Sequence, residues 1–111
     1  GFLAQRLERN GIAVVCSFVS PYAESRNDVR SMCCNFIEVY VEATLAECER
    51  RDVKGLYKKA RQGEITGFTG VDDVYEPPSA AEVTLRTADE SVDECLDRLK
   101  EYLSGRGLAG K

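Results

Sequence analysis

The sequence predicts an α/β fold built on a parallel sheet, and three observations carry that reading. Residues 12–19, Ile-Ala-Val-Val-Cys-Ser-Phe-Val, form a continuous apolar run of the kind found in strands buried on both faces. A second segment, residues 36–42 (Phe-Ile-Glu-Val-Tyr-Val-Glu), is rich in β-formers. Segments of helical periodicity separate these runs, and helix alternating with strand is the pattern of a parallel sheet with crossover helices.

The elements follow in order. Residues 1–10 read as the end of an amphipathic helix with Phe2, Leu3 and Leu7 on one side, stopped by Asn10-Gly11. The chain has no initiator Met and opens as if inside a helix, so a sequence lacking its upstream part is expected. After the apolar run, Ser20-Pro21 switches the chain into a helix reaching about Cys33, with Ser20 as N-cap and Pro21 as first helical residue. Thr44 caps a short helix through Arg51, and a further helix spans about 55–62. Residues 63–79 hold three Gly and two Pro, a long loop of the kind that usually carries function. A third strand covers 82–86. A closing helix over 91–104 shows an apolar stripe of Val92, Cys95, Leu96, Leu99 and Leu103.

Length and composition bound the function. A chain of 111 residues is long enough for one small domain with one core. No apolar run approaches the roughly eighteen residues of a membrane span, and no secretory signal opens the chain, so a cytoplasmic protein without membrane contact is expected. Five Cys with no C-x-x-C, and no His, disfavour zinc-type ligand sets. Cys16, Cys48 and Cys95 are expected as buried free thiols. The net charge of −4 is unevenly spread. Residues 50–61 hold six basic groups and one acid, while the remainder holds nine basic and eighteen acidic groups. Positive charge concentrated in one segment of an acidic chain invites a specific anionic ligand and argues against nucleic acid.

Three blocks carry the candidate chemistry. They are Ser17-Phe18-Val19-Ser20-Pro21-Tyr22, then the basic run from Arg50 to Arg61, then Gly63-Glu64-Ile65-Thr66-Gly67-Phe68-Thr69-Gly70-Val71-Asp72-Asp73. In order and spacing they resemble the adenylylsulfate kinase family, most specifically between Asp52 and Asp73. The resemblance implies a phosphate-loop kinase-like three-layer α/β fold, here truncated, with its N-terminal strands and phosphate loop absent. It implies transfer of the ATP γ-phosphate to the 3′-hydroxyl of adenylyl sulfate, giving 3′-phosphoadenylyl sulfate in sulfate assimilation. It implies magnesium, homodimerisation of the complete domain, and fusion to or association with an ATP sulfurylase. The full pattern G-x-x-x-x-G-K-[ST] does not occur in the sequence, and no metal ligand is assigned in this segment.

The same resemblance assigns residues. Val19 and Ser20 match a pair that touches adenylyl sulfate, with Ser20 at the end of a strand where open α/β sheets present ligand groups. Ser20 also matches a serine described as a phosphoserine intermediate, although direct in-line transfer is the favoured route. Arg51, Lys54, Lys58, Lys59 and Arg61 fall on the family's lid, whose cations stabilise charge on a transferring phosphoryl group. Arg51 and Lys54 are the catalytic candidates among them, and Lys54 also matches a substrate contact. Gly67 and Phe68 match one side of the adenine clamp, with the ring suited to stacking and the glycine to close backbone approach. Asp72, Asp73 and Tyr75 are expected to order the loop. Glu90 falls near a position that contacts ATP. A non-catalytic nucleotide-binding or regulatory module derived from the same fold is the alternative reading.

Overall fold

The structure is a computed structural model that describes residues 1–108. Five helices and two strands follow one another in the order α1 (Phe2–Glu8), α2 (Ala23–Met32), β1 (Val39–Glu42), α3 (Leu45–Arg51), α4 (Leu56–Arg61), β2 (Val83–Arg86) and α5 (Val92–Gly105). The two strands pair in parallel with Val39 opposite Val83 and Glu42 opposite Arg86. A parallel pair needs a crossover, and α3, α4 and the long loop supply it. The α/β class with a parallel sheet is therefore what the chain adopts.

The core lies where α5 covers β2. Val83, Leu85 and Cys95 are buried together, with Ile37, Leu99 and Tyr102 packed against them. Helix α5 is well started. Ser91 Oγ accepts from Glu94 N–H while the Glu94 carboxylate accepts from Ser91 N–H, a complete capping box. Thr44 caps α3 as expected, its hydroxyl accepting from Glu47 N–H. The outer part of the predicted α5 stripe is not covered, since Val92 is 82% exposed and Leu96 is also exposed.

Residues 12–19 depart from expectation. They form no strand and pair with neither β1 nor β2. Val15 is 95% and Phe18 80% exposed, and Cys16 is exposed rather than buried. Cys48 is half-buried and Cys95 buried, so the expectation of buried thiols holds fully only for Cys95. The physical reason is that a strand exists through its neighbours. The apolar pattern specifies burial on both faces, and no described segment lies against either.

The start of α2 also differs. Tyr22, not Ser20, is the N-cap residue, and the helix begins at Ala23 rather than Pro21. The cap comes from far along the chain. Glu76 Oε2 accepts from Ala23 N–H at 2.7 Å, in place of a local side chain. No helix among the described residues is long and apolar enough to cross a membrane.

Candidate functional site

The loop over residues 63–79 joins two other stretches, residues 19–22 and the α3–α4 segment: Asp73 and Glu76 hold it to the start of α2, and Phe68 meets α4 through Tyr57. Ser20 has φ of 43°, the one described non-glycine residue in the left-handed region. For an L-residue that conformation costs about 1–2 kcal/mol, so neighbouring contacts must hold it. Its carbonyl accepts from Arg26 Nη1 at 2.7 Å. The next two residues are fastened to the long loop. Pro21 O accepts from Glu76 N–H at 2.8 Å, and Tyr22 Oη donates to Asp73 Oδ2 at 2.8 Å. That bond to Asp73 pushes the Tyr22 hydroxyl above its ordinary pKa and keeps it a donor. Val19, beside Ser20, is exposed.

The basic segment divides by residue type. Each arginine is engaged. Arg50 and Arg51 both bind Glu47, at 2.7 and 2.6 Å, and hold its carboxyl down to about 2. Arg51 also donates to Thr87 O at 2.5 Å, tying α3 to the end of β2. Arg61 binds Glu49 at 2.6 Å. Lys54, Lys58 and Lys59, by contrast, are exposed and make no ion pair among the described residues. Asp52 starts α4 by accepting from the N–H groups of Tyr57 and Lys58, each at 3.0 Å. Gly55, at φ of 65°, is the N-cap that lets the chain turn there. Three ammonium groups without ion pairs among the described residues thus sit on the α3–α4 segment, whose frame is fixed by arginine–glutamate pairs.

The Gly67–Phe68 turn is built by Asp72. Its two carboxylate oxygens accept from Gly67 N–H at 2.8 Å and Phe68 N–H at 2.5 Å. Phe68 O accepts in return from the N–H groups of residues 71, 72 and 73. The Phe68 ring is half-buried and meets Tyr57 of α4 edge to face, with centroids 5.0 Å apart at 79°. Tyr75 stacks on Tyr40 of β1 at 6.2 Å, fixing the far end of the loop. The loop-ordering parts expected of Asp72, Asp73 and Tyr75 are all seen.

Glu90 stands apart from this group. It precedes the α5 N-cap, pairs with Arg98 and accepts from Cys95 Sγ at 3.7 Å, so both its partners lie on α5.

Sequence reasoning missed Tyr57, Arg26 and Glu76. For Tyr57 a signal existed, an aromatic three residues after Lys54 within the basic run. Arg26 and Glu76 carry no local signal, because their partners lie up to about fifty residues away. A different pattern sits at the end of the chain, where Gly105, Gly110 and Lys111 match the G-x-x-x-x-G-K part of a phosphate loop. That loop leaves a strand and enters a helix, whereas Gly105 is the last residue of α5, and residues 109–111 lie outside those described.

Fold and site together describe an α/β chain in which three lysines without ion pairs among the described residues lie on the α3–α4 segment, whose Tyr57 also meets the glycine-flanked ring of Phe68. The family profile for adenylylsulphate kinase matches residues 1–86. The chain belongs to that family. It is 52% identical over 107 residues to the adenylyl-sulfate kinase of Synechococcus sp. strain JA-2-3B'a(2-13), covering 96% of this chain and 61% of the relative. It is 50% identical over 111 residues to that of Rippkaea orientalis, covering all of this chain and again 61% of the relative. The chain thus spans about three fifths of the length of the curated relatives it matches. Among solved structures it is similar to the Mycobacterium tuberculosis APS kinase CysC in complex with AMPPNP and APS. That similarity has a TM-score of 0.83 and 38% identity, and covers 93% of this chain and 61% of that one.

Proposed function

We propose that residues 1–111 are the C-terminal part of one adenylylsulfate kinase domain, and that they contribute its lid and adenylyl sulfate contacts. One observation carries the reading. Lys58 and Lys59 on α4, and Lys54 just ahead of it, make no ion pair among the described residues, and Tyr57 of α4 also holds Phe68, so the cations and the ring share one support. In the reaction, the 3′-hydroxyl oxygen of adenylyl sulfate attacks the γ-phosphorus of ATP. The bond to the β-phosphate oxygen breaks, ADP leaves, and the hydroxyl proton passes to solvent or base.

Phe68 is assigned to one face of the adenine and Gly67 to the close backbone approach. Val19 and Ser20 are assigned to the sulfate-bearing nucleotide, without a covalent step through Ser20. Lys54 supplies positive charge to the transferring phosphoryl group, with Lys58 and Lys59 beside it. Arg51 and Arg61 act by fixing the lid's frame through Glu47, Thr87 and Glu49. Glu90 is a weaker candidate for contact with ATP.

This reading carries ATP as phosphoryl donor, with magnesium as its companion ion. No group of three or more acidic or thiol ligands among the described residues could hold the ion. A cytoplasmic homodimer, alone or with an ATP sulfurylase, is the assembly this reading carries.

The test is to express the whole reading frame that encodes residues 1–111 and assay it with ATP and adenylyl sulfate. Formation of 3′-phosphoadenylyl sulfate with equimolar ADP is expected. Tight binding of adenylyl sulfate with no turnover would replace the enzyme by a nucleotide-binding module.

A further inference from the structure

Arg26 is a heavily engaged side chain outside the residues already assigned. It lies on α2 with its side chain only 10% exposed. Its guanidinium donates in three directions at 2.7 Å each. Nε goes to Glu38 Oε1 ahead of β1, Nη1 to Ser20 O, and Nη2 to Glu76 O in the long loop. The Tyr75 ring lies 5.9 Å from its central carbon.

The two carbonyl acceptors belong to the two stretches that the proposed function assigns to substrate. Ser20 sits in a left-handed conformation that an L-residue keeps only under constraint, and Arg26 binds its carbonyl. Glu76 is bound through all its polar groups: its carbonyl by Arg26, its N–H by Pro21 O, and its carboxylate by Ala23 N–H. Four residues before Glu76, Asp72 builds the turn that carries Phe68. A planar fork fixed by one carboxylate therefore sets Ser20 and the Phe68 loop relative to each other. Lysine, a single point charge, keeps the ion pair with Glu38 but cannot reach both carbonyls at once.

We infer that Arg26 is a positioning residue that locks Ser20 and the Phe68-bearing loop into one rigid unit, and so sets the geometry in which adenylyl sulfate is gripped. This rests on the proposed function for its substrate and on the hydrogen bonds alone for the lock.

The test uses Arg26→Lys in the protein expressed from the whole reading frame. Arg30→Lys serves as the control, because Arg30 pairs with Glu38 and Glu82 and touches neither carbonyl. Amide hydrogen exchange without ligand reads the lock. Exchange at Glu76 and Ala23 is expected to quicken about tenfold in Arg26→Lys, with β2 and α5 unchanged and Arg30→Lys leaving both amides slow. Steady-state kinetics read the consequence. The KM for adenylyl sulfate should rise about tenfold or more while that for ATP stays within about twofold. Unchanged exchange at Glu76 and Ala23, or faster exchange spread evenly over β2 and α5, overturns the lock. Faster exchange with an unchanged KM for adenylyl sulfate overturns its role in substrate grip. A wild-type protein that ignores adenylyl sulfate overturns the functional reading, and the exchange data still decide the lock.

Discussion

Phe68 is held twice, by its backbone through Asp72 and by its ring against Tyr57. Removing the ring leaves the Asp72-built turn in place, so Phe68→Ala tests stacking without dismantling the loop. Base–aromatic stacking is worth about 1–3 kcal/mol, so adenylyl sulfate binding should weaken roughly ten- to hundred-fold. ATP binding should change far less, as calorimetry with each nucleotide would show. Equal losses for both would remove Phe68 from the adenine clamp. Glu82 supports a pH prediction. Hydrogen bonding from Arg30, more than any other cause, holds its carboxyl well below the ordinary 4.5, at about 2. A carboxylate lowered on folding contributes stability above its unfolded pKa and loses it as pH falls toward the folded value. In the protein expressed from the whole reading frame, denaturant melts should therefore weaken by about 2–3 kcal/mol between pH 6 and pH 2, and Glu82→Gln should flatten that slope. Glu47 shifts similarly, but its exposed pairs with Arg50 and Arg51 are screened and contribute little. At this scale the sequence displayed Phe68, a ring among glycines with no core to join. It could not display Arg26, since two backbone carbonyls and a distant carboxylate leave no residue pattern.

Helices α3, α4 and α5 and strands β1 and β2 fall within a few residues of where periodicity and capping signals put them. Each carries its own instructions: Thr44 and Ser91 as caps, Gly55 before α4, and β-branched residues in the strands. Residues 12–19 were legible only as an apolar run, because ladder partners are not written in a strand's own residues. The start of α2 was misplaced for a related reason, its cap being the carboxylate of Glu76 rather than a neighbouring hydroxyl. The α3–α4 segment, proposed as the lid, carries a prediction at this scale. Its shape comes from Glu47, Glu49, Asp52 and the arginines, while Lys54 contributes only a free charge. Lys54→Ala should thus lower turnover about ten- to hundred-fold, with a melting temperature within about 1 °C of wild type. A fall of several degrees with normal kinetics would make Lys54 part of the frame.

The whole molecule exposes more surface than a finished domain of its mass. Its accessible area is 8342 Å², where about 6,100 Å² is expected for a compact 12.3 kDa protein. Its radius of gyration is 16.0 Å, against about 13 Å for a compact chain of this length. The excess is apolar where it matters. Val15, Phe18 and Val19 face solvent in the unpaired run, and Val41 is 61% exposed on β1. Only Ala60, Val83, Leu85 and Cys95 count as buried hydrophobics among the described residues. So small a core cannot offset the conformational entropy of ordering about a hundred residues. The two-stranded sheet also leaves the outer edges of β1 and β2 unpaired, which invites association with other chains. The 111-residue chain expressed alone should therefore bind a hydrophobic dye strongly, unfold without a sharp transition, and aggregate at micromolar concentration. The groups that cradle a β-phosphate in this fold belong to a loop whose full pattern is not in these residues, so no phosphotransfer to adenylyl sulfate is expected from it. Expression from the whole reading frame should reverse all of these properties together, because the surfaces that cover residues 12–19 and the loop that holds ATP would arrive on one segment. A cooperative melt and turnover above a no-protein control, both from residues 1–111 alone, would show that this portion folds and binds ATP without further chain.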